Sequence, residues 1–346
     1  MTQEGLSVHA NYSLAAKNCL AVPASCKYYQ CIETLSQLTP AIEFSKQKQL
    51  PVLIFSGGSN IVLSQNFSGI ALEIALKGRK VFSRTDELIT VELAAGENWH
   101  ETVCWALDQG FYGLENLALI PGSVGAAPIQ NIGAYGVELD SYIDAVQVFS
   151  IDESQFLWMS KSDCEFGYRD SIFKNRLKDR VVVTAVRLSL RSSFTPNVEY
   201  QALRDCLDDH SDGSAVDLTP QRIFQAVCNI RSTKLPDPAT IPNVGSFFKN
   251  PVVSKAHYNV LLQDFSNLVV YPQSSGDVKL AAAQLIDLCG WKGFEEDGVG
   301  VHSQQALVLV NPGRRSGREV LILADKIRTS VEQKFGILLD HEPRIY

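Results

Sequence analysis

The 346-residue sequence predicts an α+β protein, and three observations carry that prediction. Short apolar runs that end in turn residues recur along the chain and are typical of buried strands. Other segments carry apolar residues at helical spacing and stop at a glycine. A polar stretch at residues 205–217 separates two regions of this kind and indicates a domain boundary between residues 217 and 218.

The predicted strands are short and rich in apolar or β-branched residues. The first of them runs directly into Ser56-Gly-Gly-Ser-Asn60, a cluster of turn residues. Strands are predicted at residues 51–55, 69–76, 88–95, 145–151, 181–190 and 306–310.

The predicted helices begin at capping residues or end at glycine. Thr219-Pro220 marks a helix start, because a capping residue precedes a proline at the first helical position. Residues 318–335 carry a continuous apolar stripe and are followed by Gly336, which predicts a long helix with a glycine cap. Two further helices are predicted, at residues 98–109 and 279–289.

Composition excludes several classes of protein. The chain is 45% hydrophobic and 20% charged, which is typical of a globular protein. A net charge of −7 argues against nucleic acid or an anionic membrane as partner, because either would favour a basic face. The sequence shows no membrane-spanning run and no secretion signal. We therefore expect a cytoplasmic protein and, by default, a monomer.

The eight cysteines are scattered along the chain. None forms a Cys-x-x-Cys pair, and no histidine lies beside them at the spacing of a zinc site. The pattern predicts reduced thiols in a reducing compartment and no metal.

Two glycine-rich segments, residues 57–60 and 120–136, are candidates for binding a phosphate group. Small residues allow the backbone to approach a ligand and to direct successive N–H groups at an anion. The alternative is that these glycines only form tight turns. The nucleotide-binding patterns GxGxxG with its strand and helix context and GxxxxGK[ST] are both absent, so any nucleotide would bind in another way.

Residues 116–136 resemble the FAD loop of the UDP-N-acetylenolpyruvoylglucosamine reductase family. Several further segments match the family in the same order, and the resemblance extends from about Pro51 to the end of the sequence. The first fifty residues match poorly, which leaves the adenine end of the FAD site open. The matching segments are residues 57–60, 167–173, 231–237, 245–251, 301–311 and 342–344.

The resemblance implies a fold in two parts. Residues 1–217 would form an FAD-binding region of the vanillyl-alcohol-oxidase and p-cresol-methylhydroxylase type, in two α+β subdomains at about 1–75 and 76–217. Residues 218–346 would form an α/β substrate-binding domain, with the C-terminal tail returning to the active site.

The resemblance also implies a reaction. NADPH would reduce non-covalently bound FAD, and the reduced flavin would pass hydride from N5 to C3 of UDP-N-acetylglucosamine enolpyruvate. Protonation at C2 by a serine would then give UDP-N-acetylmuramate for bacterial peptidoglycan. Such chemistry needs a cation at the carboxylate, a proton donor at C2 and a group that stabilises the developing charge.

By their match to the family motifs, Arg169, Ser246 and Glu342 would fill these three roles. Their residue types alone favour plainer explanations. Arg169 could pair with the neighbouring Asp170, Ser246 could serve a turn, and Glu342 could be a solvated charge near the end of the sequence.

The family positions also imply binding residues. Tyr200 resembles the mobile-loop tyrosine of one subclass. Because Ala126-Ala127 replaces glycine or serine in the main loop, we expect main-chain N–H groups to hold the pyrophosphate. The implied cofactor contacts are Gly57, Gly58, Ser59, Asn60, Ile120, Pro121, Gly122, Gly125, Ala126 and Gly133. The implied substrate contacts are Tyr200, Lys234, Asn250, Tyr271, Lys279 and Gln305.

Two alternatives remain open from the sequence. An oxidase of small alcohols could share the FAD module, but would lack the Ser246 motif and often binds flavin covalently. A non-catalytic sensor of nucleotide sugars could use the same scaffold, although it would not need the three catalytic residues.

Overall fold

The computed structural model describes residues 7–209, 218–273 and 275–346. Its α-helices are α1 Leu38–Gln47, α2 Trp99–Asp108, α3 Gln201–Asp209, α4 Pro220–Lys234, α5 Lys255–Asp264, α6 Ala282–Leu288 and α7 Gly317–Phe335. Its strands are β1 His9–Ser13, β2 Ser25–Ile32, β3 Val52–Phe55, β4 Ile61–Val62, β5 Phe67–Ile74, β6 Arg79–Arg84, β7 Leu88–Ala94, β8 Gly133–Ala134, β9 Val137–Glu138, β10 Ile143–Ser150, β11 Gln155–Ser160, β12 Val181–Arg191, β13 Asn243–Ser246, β14 Val252–Val253, β15 Val270–Pro272, β16 Val278–Leu280, β17 Glu295–Glu296, β18 Val299–Val301, β19 Val308–Val310 and β20 Arg344–Ile345.

The chain folds into two compact units that are interleaved along the sequence. The first unit comprises the residues up to Tyr12 together with Cys26–Gly57 and Ser68–Thr233. The second comprises Ser13–Ser25, Gly58–Phe67 and Lys234–Tyr346. The predicted boundary at 217 and 218 adjoins residues 210–217, which lie outside the described residues, and the predicted division stays a prediction.

The first unit contains two sheets, each covered by helices. One has the order β1-β2-β5-β3, with β3 and β5 parallel, and α1 packs on it through Leu38 and Ile42. The other is antiparallel with the order β11-β10-β12-β7-β6. Helices α2 and α4 join its apolar core, where Trp99 and Val227 are at most 1% exposed. Burial of these faces supplies the main favourable free energy of folding.

The second unit combines two small antiparallel sheets, β13-β19-β18-β17 and β14-β16-β15. Helix α7 buries the predicted apolar stripe. Segments from the first seventy residues complete the unit. Strand β4 pairs in parallel with β20. The Asn311 side chain donates to the Leu20 carbonyl at 2.8 Å, and the Asn243 N–H donates to the Cys19 carbonyl at 3.0 Å.

The predicted helix ends follow from local chemistry. Asn98 caps α2 by accepting the Glu101 N–H at 3.0 Å. Ser316 and Glu319 form a reciprocal capping box at the start of α7. Gly336 ends that helix with φ +65°, a conformation that costs glycine little. All six predicted strands are present within a few residues of their predicted bounds.

Two predictions were wrong in part. Residues 279 and 280 are not the start of a helix, because they belong to β16, where Lys279 pairs with Tyr271 and Val252. The helix begins only at Ala282. Residues 205–209 are not a loop but the end of α3, which Leu203 and Leu207 anchor in the core at 0% and 4% exposure. The remainder of that stretch lies outside the described residues.

Among the described residues, no helix combines the length and the apolar character needed to cross a bilayer. The same part of the chain contains no group of three or more histidine, cysteine or acidic residues that could hold a metal ion.

Candidate active site

The glycine-rich loop of the first unit is bonded through its backbone to the residues that directly follow β7. The Gly125 N–H donates to the Ala95 carbonyl at 2.8 Å, and the Val124 N–H donates to the Glu97 carbonyl at 2.9 Å. A Cβ atom at position 125 would lie 2.5 Å from that of Ala95, so only glycine permits this approach. These backbone hydrogen bonds therefore fix the position of the loop without any ligand.

Within this loop, some N–H groups are bonded inside the chain and others are not. The Ala126 N–H donates to the Ser123 carbonyl at 3.1 Å, and the Gly125 N–H is also bonded within the chain. In contrast, the N–H groups of Gly122 and Ser123 have no acceptor among the described residues. The Ser123 hydroxyl is buried and likewise has no partner there. The N–H groups of Gly125 and Ala126 are therefore occupied within the chain, whereas those of Gly122 and Ser123 and the Ser123 hydroxyl are available to a ligand.

The segment 57–60 is divided between the two units. In the first unit, a Cβ at Gly57 would lie 4.0 Å from the Gly122 Cα, so the two glycine segments are neighbours. In the second, a Cβ at Gly58 would lie 2.2 Å from the Lys17 carbonyl oxygen, which requires glycine for a structural reason. The Asn60 carbonyl accepts the Arg344 N–H at 3.0 Å.

Arg169 is held against the glycine-rich loop. It lies in a tight turn closed by paired hydrogen bonds between Gly167 and Asp170, and its own φ of +53° is unusual for a residue with a side chain. Its guanidinium donates to the carbonyls of Asn131 and Gly133. A Cβ at Gly133 would lie 2.9 Å from Nη1, so this glycine makes room for the arginine.

A second cation, Arg231, lies near Arg169. Burial lowers the pKa of the Arg231 guanidinium, the Tyr135 hydroxyl that it bonds opposes this shift, and the positive charge of Arg169 lowers the pKa further. Its Nε–H donates to the Leu119 carbonyl at 3.2 Å. The first unit therefore concentrates two guanidinium groups beside one loop.

Tyr200 also belongs to this region. Its ring meets that of Tyr135 edge to face at 5.4 Å between centroids. The buried Asn116 side chain ties the two segments together by donating to the carbonyls of Tyr135 and Asn197, both at 2.9 Å. Tyr200 itself is 37% exposed, so it lies at the surface of the loop cluster.

In the second unit, Ser246 lies at a bulge at the end of β13. Between Asn243 and Ser246 the strand contains one residue more than its partner β19, and Gly245 takes up the irregularity with φ +71°. The Asn243 side chain accepts the Gly245 N–H at 2.9 Å and fixes the bulge. Among the described residues the Ser246 hydroxyl has no hydrogen-bond partner.

The C-terminal tail pairs with the segment that follows Ser246. The Glu342 N–H donates to the Phe247 carbonyl at 2.9 Å, and the Lys249 N–H donates to the Asp340 carbonyl at the same distance. Beyond Glu342, the tail continues as β20 beside β4, where the Tyr346 N–H donates to the Val62 carbonyl at 2.9 Å. The tail is thus a paired strand and not a solvated end.

Three predicted substrate residues gather in the second unit. Tyr271 and Lys279 are directly opposed on β15 and β16, and the Lys279 ammonium lies 5.8 Å from the centre of the Tyr271 ring. The Asn250 side-chain oxygen accepts the Ala282 N–H at the start of α6 at 2.9 Å, which gives this asparagine a structural role. The structure does not bring Lys234, exposed at the end of α4, or Gln305, in the turn before β19, into a described contact with them.

Comparisons with known proteins agree with this arrangement. A family model described as "UDP-N-acetylenolpyruvoylglucosamine reductase, C-terminal domain" matches residues 237–346, and an FAD binding domain model matches residues 27–156. The UDP-N-acetylenolpyruvoylglucosamine reductase of Paraburkholderia phymatum is 45% identical over 340 residues, 98% of each chain. This chain belongs to the UDP-N-acetylenolpyruvoylglucosamine reductase family. The family member of Salmonella typhimurium is 44% identical over 333 residues, 96% of this chain and 95% of its own.

A solved UDP-N-acetylenolpyruvoylglucosamine reductase structure supports the fold. The crystal structure from Thermus caldophilus aligns with a TM-score of 0.68 at 22% identity and covers 98% of both chains. Together with the FAD binding domain match, it confirms the predicted α+β fold with an FAD-binding module and a C-terminal domain.

Three residues of interest in this reductase family member were missed in the sequence. Ser123 stood inside the glycine-rich loop, where a hydroxyl between two glycine turns was the available signal. Arg231 opened one of the matching segments, but a single arginine in a helix usually serves as a surface charge. His100, which accepts the Leu119 N–H at 3.1 Å, gave no signal, because nothing in the sequence relates these two residues.

Proposed function

We propose that this chain reduces UDP-N-acetylglucosamine enolpyruvate to UDP-N-acetylmuramate, using bound FAD and NADPH, for bacterial peptidoglycan synthesis. Its relatives carry the name of that reductase. The observation that carries the proposal is the backbone ladder of the second unit, in which Glu342 bonds to Phe247, the neighbour of Ser246. The backbone segments that carry the proposed proton donor and the proposed acid are thereby paired, and the reduction of an enolpyruvyl ether requires both groups.

The glycine-rich loop fits FAD. Gly122 and Ser123 offer two N–H groups, and Ser123 adds a buried hydroxyl without a partner among the described residues. Buried donors of this kind cost free energy unless a ligand satisfies them, and a pyrophosphate would do so. When bound, FAD would accept hydride from NADPH and pass it to C3 of the substrate.

Arg169 would bind the substrate carboxylate. A guanidinium presents five N–H donors in a planar fork, so it can hold the carbonyls of Asn131 and Gly133 and also a carboxylate. These carbonyls hold the guanidinium in place before substrate arrives, which lowers the cost of ordering it. The positive charge would polarise the alkene toward attack at C3.

Ser246 would protonate C2, and Glu342 would stabilise the charge that develops on the carboxylate. A serine hydroxyl is a weak acid, so its proton is transferred only to a strongly basic centre. The bulge at Gly245 and the bond from Glu342 to Phe247 fix the backbone on both sides of Ser246. Each group therefore acts from a rigid position, which favours a fast chemical step.

The diphosphate and uridine of the substrate would bind in the second unit. Lys279 and Lys234 supply the positive charge that an acidic chain needs for a diphosphate, and Tyr271, Asn250 and Gln305 supply polar contacts. In the first unit, Tyr200 would act as the mobile-loop tyrosine. We further propose that the protein is cytoplasmic and that it acts as a monomer. Light scattering of the purified protein would test the monomeric state.

The decisive experiment measures NADPH oxidation by the purified protein with and without UDP-N-acetylglucosamine enolpyruvate. We expect oxidation to depend on the sugar nucleotide. Oxidation that proceeds equally without it, or flavin that stays attached to denatured protein, would support an oxidase instead. No oxidation under either condition, together with tight binding of the sugar nucleotide, would support a sensor.

The Ser246→Ala variant tests the proposed proton donor. NADPH should still reduce the enzyme, whereas the second half-reaction should slow by about 10²- to 10⁴-fold, the usual contribution of a positioned acid. Ser303→Ala, at an exposed serine of the same unit, is the matched control. Wild-type turnover in Ser246→Ala would remove Ser246 from the mechanism.

A further inference from the structure

His100 makes an unusual contact at the start of the glycine-rich loop. The Leu119 N–H donates to His100 Nδ1 at 3.1 Å. Because a backbone N–H can only donate, Nδ1 must be unprotonated, and the proton of the neutral ring lies on Nε2. That nitrogen lies 3.9 Å from the Cys104 sulfur. The ring is stacked on Phe224, with 5.6 Å between centroids and 6° between planes.

Leu119 needs such a support, because its backbone is strained. Its φ of +58° is left-handed, which costs a residue with a side chain about 1–2 kcal/mol. Its N–H is held by His100, and its carbonyl accepts the Arg231 Nε–H at 3.2 Å. Ile120, Pro121 and Gly122 follow directly, so the direction in which the chain enters the loop is set here.

We propose that His100 is a positioning residue of the flavin site, which holds Leu119 in its left-handed conformation and thereby fixes both the entry of the loop and the carbonyl that orients Arg231. This inference rests on the proposed binding of FAD by residues 120–123. Without the acceptor on His100, Leu119 can relax to a negative φ. Its carbonyl then turns away from Arg231, and the N–H groups of Gly122 and Ser123 lose their fixed direction.

The charge of His100 must be zero for this role. Burial lowers the pKa of His100, Glu101 on the same helix raises it, and Arg231 on α4 lowers it. Cys104 is the other titratable group against the ring. Protonation would place hydrogen on Nδ1, remove the acceptor and add a positive charge near Arg231. Because the pKa of His100 in the folded protein lies below the ordinary value of 6.5, FAD affinity should hold at neutral pH and fall only when the pH drops through that lowered pKa.

The test compares His100→Phe, His100→Asn and Phe224→Leu. Phenylalanine keeps the ring but removes the acceptor, asparagine keeps an acceptor oxygen at the position of Nδ1, and Phe224→Leu removes the stack alone. FAD affinity is measured by flavin fluorescence between pH 5 and pH 8, and deuterium exchange of the Leu119 amide is measured in flavin-free protein.

We expect His100→Phe to bind FAD about 5- to 10-fold more weakly, as for one lost hydrogen bond to a buried group, and to exchange the Leu119 amide faster. His100→Asn should keep most of the affinity and lose the decline at acidic pH. Phe224→Leu should keep both the affinity at pH 8 and the decline.

Wild-type affinity and exchange in His100→Phe would overturn the proposal, as would an equal loss in Phe224→Leu, because packing would then explain it. If His100→Phe fails to fold, an acidic decline retained in His100→Asn overturns it. Failure of the proposed function is distinguishable: wild-type protein would then not bind FAD, whereas the exchange of the Leu119 amide still reports whether His100 holds it.

Discussion

The candidate site residues of the two units are held in place in opposite ways. In the first unit, Arg169 and Arg231 are held by carbonyls of one continuous loop, residues 119–133, within a single apolar core. In the second unit, Ser246 and Glu342 are held by pairing between segments that are almost a hundred residues apart. Cations are thus positioned by side chain-to-backbone bonds, whereas the proton-handling groups are positioned by the backbone itself.

This difference predicts how the candidate residues of each unit respond to substitution. A guanidinium that is held by two hydrogen bonds to carbonyl groups owes its position to the planar shape of its own side chain. Even a conservative substitution should therefore displace the positive charge. A residue that is fixed by its backbone N–H tolerates a change of side chain without losing its position. For such a residue, a substitution can remove the chemistry of the side chain while the backbone keeps its position.

The largest effect is expected on removal of residues 342–346. This change deletes Glu342 and also β20, the partner of β4. Turnover should fall to background. FAD should remain bound through Gly122 and Ser123, which lie in the other unit, even though Asn60 loses its bond to Arg344. Stopped-flow reduction by NADPH and steady-state turnover measure the two properties. Retained turnover would remove Glu342 and the tail from the mechanism.

Glu342→Gln separates the carboxylate from the docking of the tail. The backbone bond to Phe247 is unchanged, so the tail should remain paired, while turnover falls by about 10²- to 10⁴-fold. Glu332→Gln, at an exposed glutamate of α7, is the matched control. Loss of thermal stability in Glu342→Gln would show that the side chain, and not the backbone, holds the tail.

An intermediate effect is expected for Arg169→Lys. Lysine keeps the charge but cannot bond two carbonyls and a carboxylate in one plane. Loss of a charged hydrogen bond of about 1.5–3 kcal/mol should lower kcat/KM for the sugar nucleotide by roughly 10- to 150-fold. Reduction of the flavin by NADPH is the internal control. An unchanged kcat/KM would mean that positive charge alone is sufficient at position 169.

The smallest effect concerns His341, which neighbours Glu342. Its ring packs against Phe247 and Phe248, and its buried Nε2 has no partner among the described residues. Burial lowers the pKa of His341, Arg328 lowers it further, and Asp325 and Asp340 oppose this shift. The folded protein therefore binds the proton less readily than the unfolded chain, so stability is lost as the pH falls below 6.5.

His341→Phe should remove this pH dependence. The melting temperature of the variant relative to wild type should rise from pH 7.5 to pH 5, because only the wild type must keep a buried imidazole neutral. Scanning calorimetry at matched pH values measures the difference and cancels the contributions of other histidines. A constant difference across this range would mean that His341 titrates as an exposed histidine does.

Features with short-range causes were predictable from the sequence. The stripe and the glycine cap of α7 were read correctly, as was the start of α4 at Thr219-Pro220, because the relevant residues lie within a few positions of each other. The start of α6 was missed, since Val278-Lys-Leu280 becomes a strand only through its pairing with β14 and β15.

Features with long-range causes were not predictable in this way. Strands β4 and β20 have two residues each and lie about 280 residues apart, so no local pattern signals their pairing. The space for the Arg169 guanidinium depends on Gly133, because a Cβ atom at that position would lie 2.9 Å from Nη1, and no sequence pattern reveals this. Family motifs indicated Arg169, Ser246 and Glu342 as site residues, but not the contacts that hold them.

The interleaving of the two units has a consequence for how such a protein can be recombined. Residues 237–346 match a domain model of their own, yet Asn243 bonds to Cys19, Asn311 bonds to Leu20, and β20 pairs with β4. In a chimaera that exchanges only residues 237–346 with a relative, the C-terminal third would come from one parent. The N-terminal segments with which it forms these hydrogen bonds would come from the other. The second unit is therefore made of three segments of the chain. An exchange between relatives should give a folded protein only if residues 13–25 and 58–67 are exchanged together with the C-terminal third.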